Sequence, residues 1–145
     1  MSTFKDSYCW PTGFKYDERY YDSGDDLFQP DATLSTFNAE KKSVELINYV
    51  QNLANAHQER HILLPWGCDY AFSNARENFE QMDKIIQFTN RLNRKNITFM
   101  YSTPSNYAQE LKKDQITWPV KNDAALPYSA DNVDYWTGYY ASRPT

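Results

Sequence analysis

Asp69 is the acidic residue best placed to do chemistry. It closes off the stretch "HILLPWGCDYAF", His61 to Phe72, in which Ile62, Leu63 and Leu64 form a short apolar run ended by Pro65 and Gly67. Such a run reads as a strand buried on both faces. In parallel α/β architectures, functional groups gather where loops leave the C-terminal ends of strands. Asp69 has that place, after a glycine that permits a sharp turn and before a helix expected near Asn74. Flanking Trp66, Tyr70 and Phe72 would desolvate it in part, and partial desolvation favours a protonated carboxyl suited to general-acid work. The position also suits an aspartate that caps the next helix, or a solvated loop acid, and the residues alone leave these alternatives open.

Other candidates are weaker. His57 falls on the apolar stripe of the first expected helix and reads as a packed or edge histidine, while His61 has no partner at ligand spacing. Asp22, Asp25 and Asp26 lack the spacing and closing glutamate of a calcium loop and read as solvated surface. The chain has no Gly-rich phosphate loop, HExxH pair, serine elbow or Cys-His arrangement visible in sequence.

The whole chain has 145 residues, enough for one compact domain but short of the ~250 typical of large α/β barrels. Its formal net charge of -4 gives no electrostatic reason to expect nucleic acid. An aromatic fraction of 17%, rich in tyrosine and tryptophan, suits stacking on sugars or an aromatic interface. No apolar run is long enough to span a bilayer, and "MSTFKDSYCW" lacks the apolar core of a signal peptide. Cys9 and Cys68 are too few for a disulfide scaffold and lack metal-ligand spacing, so they leave the redox compartment open. Asn96-Ile97-Thr98 matches an N-glycosylation sequon, which matters only in the secretory route.

Residues 1–38 carry no sustained period and are expected to be irregular. βα units are expected over 39–113. A helix from about Ala39 places Leu46, Val50, Leu53 and His57 on one stripe, with Ile47 and Ala54 beside it. A second, capped by Asn74 with Glu77 three residues on, has the stripe Phe79, Met82 and Ile86 with Ile85 and Leu92. "ITFMYST", Ile97 to Thr103, reads as a second buried strand, and Thr103-Pro104 as the start of a short helix through Tyr107 and Leu111. Residues 114–145 are aromatic-rich without period. The alternation predicts an α/β fold with a parallel sheet. Two buried strands do not make a stable sheet alone, so the chain is expected to be part of a larger α/β domain.

Several blocks, in order, carry a resemblance: "CW" at Cys9; "GCDYAFSNARENFEQMDKII" from Gly67; "YSTPSNY" from Tyr101; "ITWPVKND" from Ile116; and "PYSADNVDYWTGYYASRP" from Pro127. Together they cover the chain from Cys9 onward and make it resemble the catalytic domain of glycoside hydrolase family 38, the zinc-dependent α-mannosidases, above all the lysosomal branch. The resemblance implies the later part of a seven-stranded parallel α/β barrel, glycoside hydrolase/deacetylase-like and incomplete here. It implies retaining hydrolysis of terminal α-mannosides, with mannose-containing oligosaccharides and the remainder of the mannosidase chain as partners, no nucleic acid and no membrane. It places the general acid/base on Asp69 and a sugar-subsite aromatic on Trp136; composition alone equally allows Trp136 to be a core residue.

The same resemblance implies zinc, held in the family by a His-x-Asp pair, the nucleophilic aspartate and a His-His-Asp block, none of which occurs here. The ligands and the nucleophile are expected outside these residues, and the chain alone is expected to be inactive. Cys68 stands where some relatives carry a second acid, and Ala124-Ala125-Leu126 replaces an acidic and aromatic stretch. The second cysteine that follows the "CW" block in lysosomal relatives is missing, so a local disulfide from Cys9 is not supported. A lysosomal or secreted product is implied. The rival reading is a non-catalytic carbohydrate-binding or interaction module that kept the aromatic surface.

Overall fold

The computed structural model describes residues 8–16, 26–92, 94–124, 127–129 and 131–138. Asp22, Asp25 and the stretch from Tyr139 onward therefore lie outside the described residues. Three helices dominate: α1 over Ala39–Ala54, α2 over Ala75–Leu92 and α3 over Pro104–Lys113. Two short strands, β1 at Tyr128–Ser129 and β2 at Tyr135–Trp136, pair antiparallel with Tyr128 opposite Trp136.

α1 forms where the 3.6-residue pattern predicts, and Leu46, Ile47, Val50 and Leu53 are buried as expected. It stops earlier than expected, at Ala54, so His57 lies beyond its end and Ala54 is exposed. Asn38 precedes α1 without a side-chain cap. Its amide reaches back instead, accepting from the Gln29 N–H at 2.9 Å and donating to the Leu27 carbonyl at 2.9 Å, which pins the lead-in to the helix start.

The core joins α1 to the lead-in and to α2: Phe14, Tyr16, Phe28, Ala39, Leu46 and Ile85 are buried together, with Trp66, Phe88 and Phe99 packed against them. Aromatic edges interlock there, Phe14 on Trp66 at 5.9 Å and Phe28 on Phe88 at 5.8 Å between ring centres. Lys42 is also buried, its amine donating to the Gly13 carbonyl at 2.7 Å and lying 5.3 Å from the centre of the Phe14 ring. Burying an amine is costly unless it is paired, and the carbonyl and ring face supply that pairing.

α2 differs from expectation in its buried face. Asn78, Gln81, Ile85 and Thr89 are buried, while Phe79 is 48% exposed and Met82 and Ile86 are half-buried. The polar residues can go inside because they find partners: Gln81 accepts from the Phe28 N–H at 2.9 Å, Thr89 donates to the Ser43 hydroxyl at 2.9 Å, and Asn78 donates to the Asn74 carbonyl at 3.2 Å. Asn74 meets Glu77 at 3.1 Å through its side chain, at the start of α2. α3 begins as predicted, the Thr103 hydroxyl accepting from the Asn106 N–H at 3.2 Å with Pro104 first in the helix.

Ile62–Leu64 and Ile97–Thr103, expected as buried strands, carry neither helix nor strand pairing, and Ile62, Leu63 and Leu64 are half-buried. A strand is held by a hydrogen-bonded neighbour, and the described residues supply none to either segment. The parallel sheet expected over 39–113 is thus absent among the described residues. What is present there is a helical assembly with a small antiparallel hairpin.

Candidate active site

Asp69 lies in a tight loop between the run Ile62–Leu64 and α2. Gly67 turns the chain at φ 138°, a conformation that L side chains rarely adopt, and a Cβ there would lie 2.8 Å from a ring carbon of Phe72. Tyr70 and Phe72 also hold left-handed backbone, φ 59° and 64°, and the Ala71 N–H closes a turn onto the Cys68 carbonyl at 3.0 Å. Left-handed residues other than glycine are costly and cluster at functional loops. Two of them, Tyr70 and Phe72, fall within three positions here.

The loop is anchored from outside. Cys68 is bonded to Cys9, 59 positions away in sequence. The sequence supports no local disulfide from Cys9, and the structure bonds it instead to this distant partner. The cysteine count gave no sign of this, because pairing depends on the approach of two backbones in space. The residues next to the two cysteines also meet: the Tyr8 hydroxyl donates to Asp69 Oδ1 at 2.8 Å. Sequence reasoning misses this pair; its one trace is that both residues adjoin a cysteine.

The aromatic enclosure expected around Asp69 is not observed. Asp69 is exposed, and Tyr70 beside it is 81% exposed. Phe72 turns away to stack on Phe79 at 5.6 Å, and Phe79 in turn meets Tyr101 at 6.2 Å. Trp66 packs instead on Phe14 and Tyr16, at 5.9 and 6.5 Å between ring centres, so the flanking rings do not enclose the carboxylate. Burial, joined by the Asp83 carboxylate that accepts its hydrogen bond at 2.9 Å, pushes the Tyr101 hydroxyl up to about 12.

Trp136 lies in β2, 45% exposed, with its ring edge-on to Tyr128 at 5.5 Å and its indole N–H donating to Asp134 at 3.1 Å. It is a surface aromatic of the hairpin, not a core residue. An open depression of about 620 Å³ at the start of α1, lined in part by Phe37, Lys41 and Arg94, includes neither Asp69 nor Trp136.

The histidines do not form a metal site. His57 Nδ1 lies 2.8 Å from Glu59 Oε1, and Tyr107 donates to the same oxygen at 3.4 Å, tying α3 to the segment after α1. Burial pushes the Glu59 carboxyl up, but the His57 contact and nearby backbone N–H groups outweigh it and hold the carboxyl below its ordinary range. Among the described residues no three histidine, cysteine, aspartate or glutamate side chains gather as metal ligands. The donors present there therefore do not fit a zinc ion. No helix among the described residues is long and apolar enough to cross a membrane.

Comparison with known proteins agrees with the blocks in the sequence. The family model for the glycosyl hydrolases family 38 N-terminal domain matches residues 1–135. The lysosomal alpha-mannosidase of Dictyostelium discoideum is 32% identical over 144 residues, covering 99% of this chain and 14% of that protein. The human lysosomal alpha-mannosidase is 36% identical over 111 residues, covering 72% of this chain and 11% of its own length. A probable alpha-mannosidase of Arabidopsis thaliana is 32% identical over 136 residues, 92% of this chain and 12% of that protein. The chain thus spans about an eighth of the length of these relatives, and with the match running through nearly all of its residues it belongs to the glycosyl hydrolase family 38 N-terminal domain family.

Proposed function

We propose that this chain supplies the acid/base loop of a zinc-dependent, retaining α-mannosidase acting on terminal α-mannosides of glycans, within the later part of a seven-stranded α/β barrel. The observation that carries the reading is the family match over residues 1–135, which takes in the Asp69 loop and ends next to Trp136. In this reading Asp69 is the general acid/base and Trp136 lines the mannose subsite. A nucleophilic carboxylate outside these residues attacks the anomeric carbon as Asp69 gives its proton to the departing glycosidic oxygen. Asp69 then takes a proton from the water that hydrolyses the glycosyl-enzyme. Exposure of Asp69 on a conformationally fixed loop suits a group that must exchange its proton between turnovers.

Zinc belongs to the reading as a cofactor whose ligands lie elsewhere in a longer protein, and the residues 1–145 alone are expected to be inactive. The names of the relatives point to a lysosomal compartment, and an exposed Asn96 at the turn after α2 leaves its sequon accessible there. In the full-length protein, Asp69→Asn should lower turnover of an aryl α-mannoside by roughly 10²–10⁴, the usual contribution of a general acid/base, with bound zinc unchanged. Undiminished turnover removes Asp69 from the role. Sugar binding without hydrolysis in the wild-type protein would favour the non-catalytic carbohydrate-binding module.

A further inference from the structure

We propose that Tyr8 is a positioning residue for Asp69, and that the Cys9–Cys68 disulfide holds it in place. The inference rests on the reading of Asp69 as acid/base and deepens it. A carboxyl on an exposed loop can rotate about its Cβ–Cγ bond, so a proton it carries has no fixed direction. A phenol hydroxyl donating to Oδ1 at 2.8 Å removes that rotation. The residues come from segments 61 positions apart, and an exposed hydrogen bond between such segments does not by itself hold them together. The covalent bond between the immediate neighbours, Cys9 and Cys68, does so.

The local backbone strengthens the geometry. Trp10 and Pro11, just after Cys9, are buried, and Phe14 and Tyr16 beyond them belong to the core. Gly67, just before Cys68, is buried as well. Both cysteines thus adjoin packed structure, while Tyr8, 53% exposed, and Asp69 are exposed and joined to each other. Reduction of the bridge takes two electrons and two protons from a dithiol and yields two free thiols. The lead-in then loses its link to the loop, and Tyr8 its fixed distance from Asp69.

The test uses the full-length, zinc-loaded protein and two synthetic α-mannosides, one with a poor leaving group (phenol) and one with an activated leaving group (2,4-dinitrophenol). Proton donation matters for the first and little for the second. Tyr8→Phe should lower kcat/KM on the phenyl mannoside about 5–10-fold relative to the dinitrophenyl mannoside, as expected for loss of orientation rather than of the acid itself, because kcat/KM reports the step in which the leaving group departs. Dithiothreitol should reproduce that change of ratio in the wild type and add nothing to it in Tyr8→Phe, because coupled groups are not additive. The ratio is independent of how much enzyme is folded. Equal losses on both substrates, or none, overturn the inference while Asp69→Asn still cripples the phenyl mannoside. If Asp69→Asn spares the phenyl mannoside, the parent reading fails and the inference falls with it.

Discussion

The helical region from Cys9 to Leu92 and the aromatic stretch from Asp114 to Gly138 contain similar side chains and treat them in opposite ways. In the first, Trp10, Phe14, Tyr16 and Phe28 are buried around α1 and α2. In the second, Trp118, Val120, Tyr128, Tyr135 and Trp136 are all exposed. The difference lies in what surrounds them. α1 and α2 each present a continuous face against which irregular chain can close, whereas the hairpin of β1 and β2 has two residues per strand and no face to cover. Aromatic content alone therefore does not indicate a core: the same residue types become packing where a helix face is available and remain surface where none is.

The sharpest way to break this contrast is Leu46→Ala in the middle of the buried cluster. It should cost about 2–5 kcal/mol, as large-to-small changes in packed interiors do, read as a lower midpoint of denaturant unfolding. A change near zero would mean that the helical region is not the stabilising one. Acidification should have a smaller effect. Arg60 holds the Asp114 carboxyl below its ordinary value of 3.8, and the balance at Glu59 lies below its ordinary 4.5. A carboxyl whose folded value is depressed contributes stability that is fully present above its unfolded value and is lost as pH falls through the folded one. A thermal melt should therefore hold its midpoint down to about pH 4.5, the ordinary glutamate value, and decline below it. A midpoint flat to pH 2, well below both ordinary values, would mean that these contacts add nothing. The smallest change in stability belongs to Trp136→Ala, within about 0.5 kcal/mol because the residue is exposed. In the full-length protein the same change should raise KM for an aryl α-mannoside several-fold. A melted protein would mean that the tail is core after all.

How much of this could be read beforehand depended on whether the cause was local. The start of α1 and the Thr103-Pro104 opening of α3 follow from patterns within a few residues, and both formed as expected. So did the turn at Gly67, since only glycine holds that backbone beside Phe72 without a clash. The face of α2 was misread because Asn78, Gln81 and Thr89 are buried through hydrogen bonds to Asn74, Phe28 and Ser43, and hydropathy cannot see a partner 46 or 53 positions away. The same distance hides the Cys9–Cys68 bond and the Tyr8 contact. The segments read as strands have no pairing partner among the described residues: their residues suit a sheet, but a sheet needs neighbours that no local pattern provides. Asp69 was located correctly on its loop, while the idea that its aromatic neighbours would enclose it failed because Trp66 packs on Phe14 and Phe72 on Phe79. The role of Asp69 came from family resemblance, since an acid on a loop has the same appearance in sequence whatever it does.

Lys41 and Lys42 stand next to each other and live in different chemical worlds. The Lys41 side chain is 81% exposed, open to any acylating or alkylating solute, while Lys42 is withdrawn beneath Phe14 and Tyr16 with its amine on the Gly13 carbonyl. Nothing can modify Lys42 until the lead-in lifts off α1, so adjacent amines form a built-in pair of clocks: one ticks with the solvent, the other only with the opening of the fold.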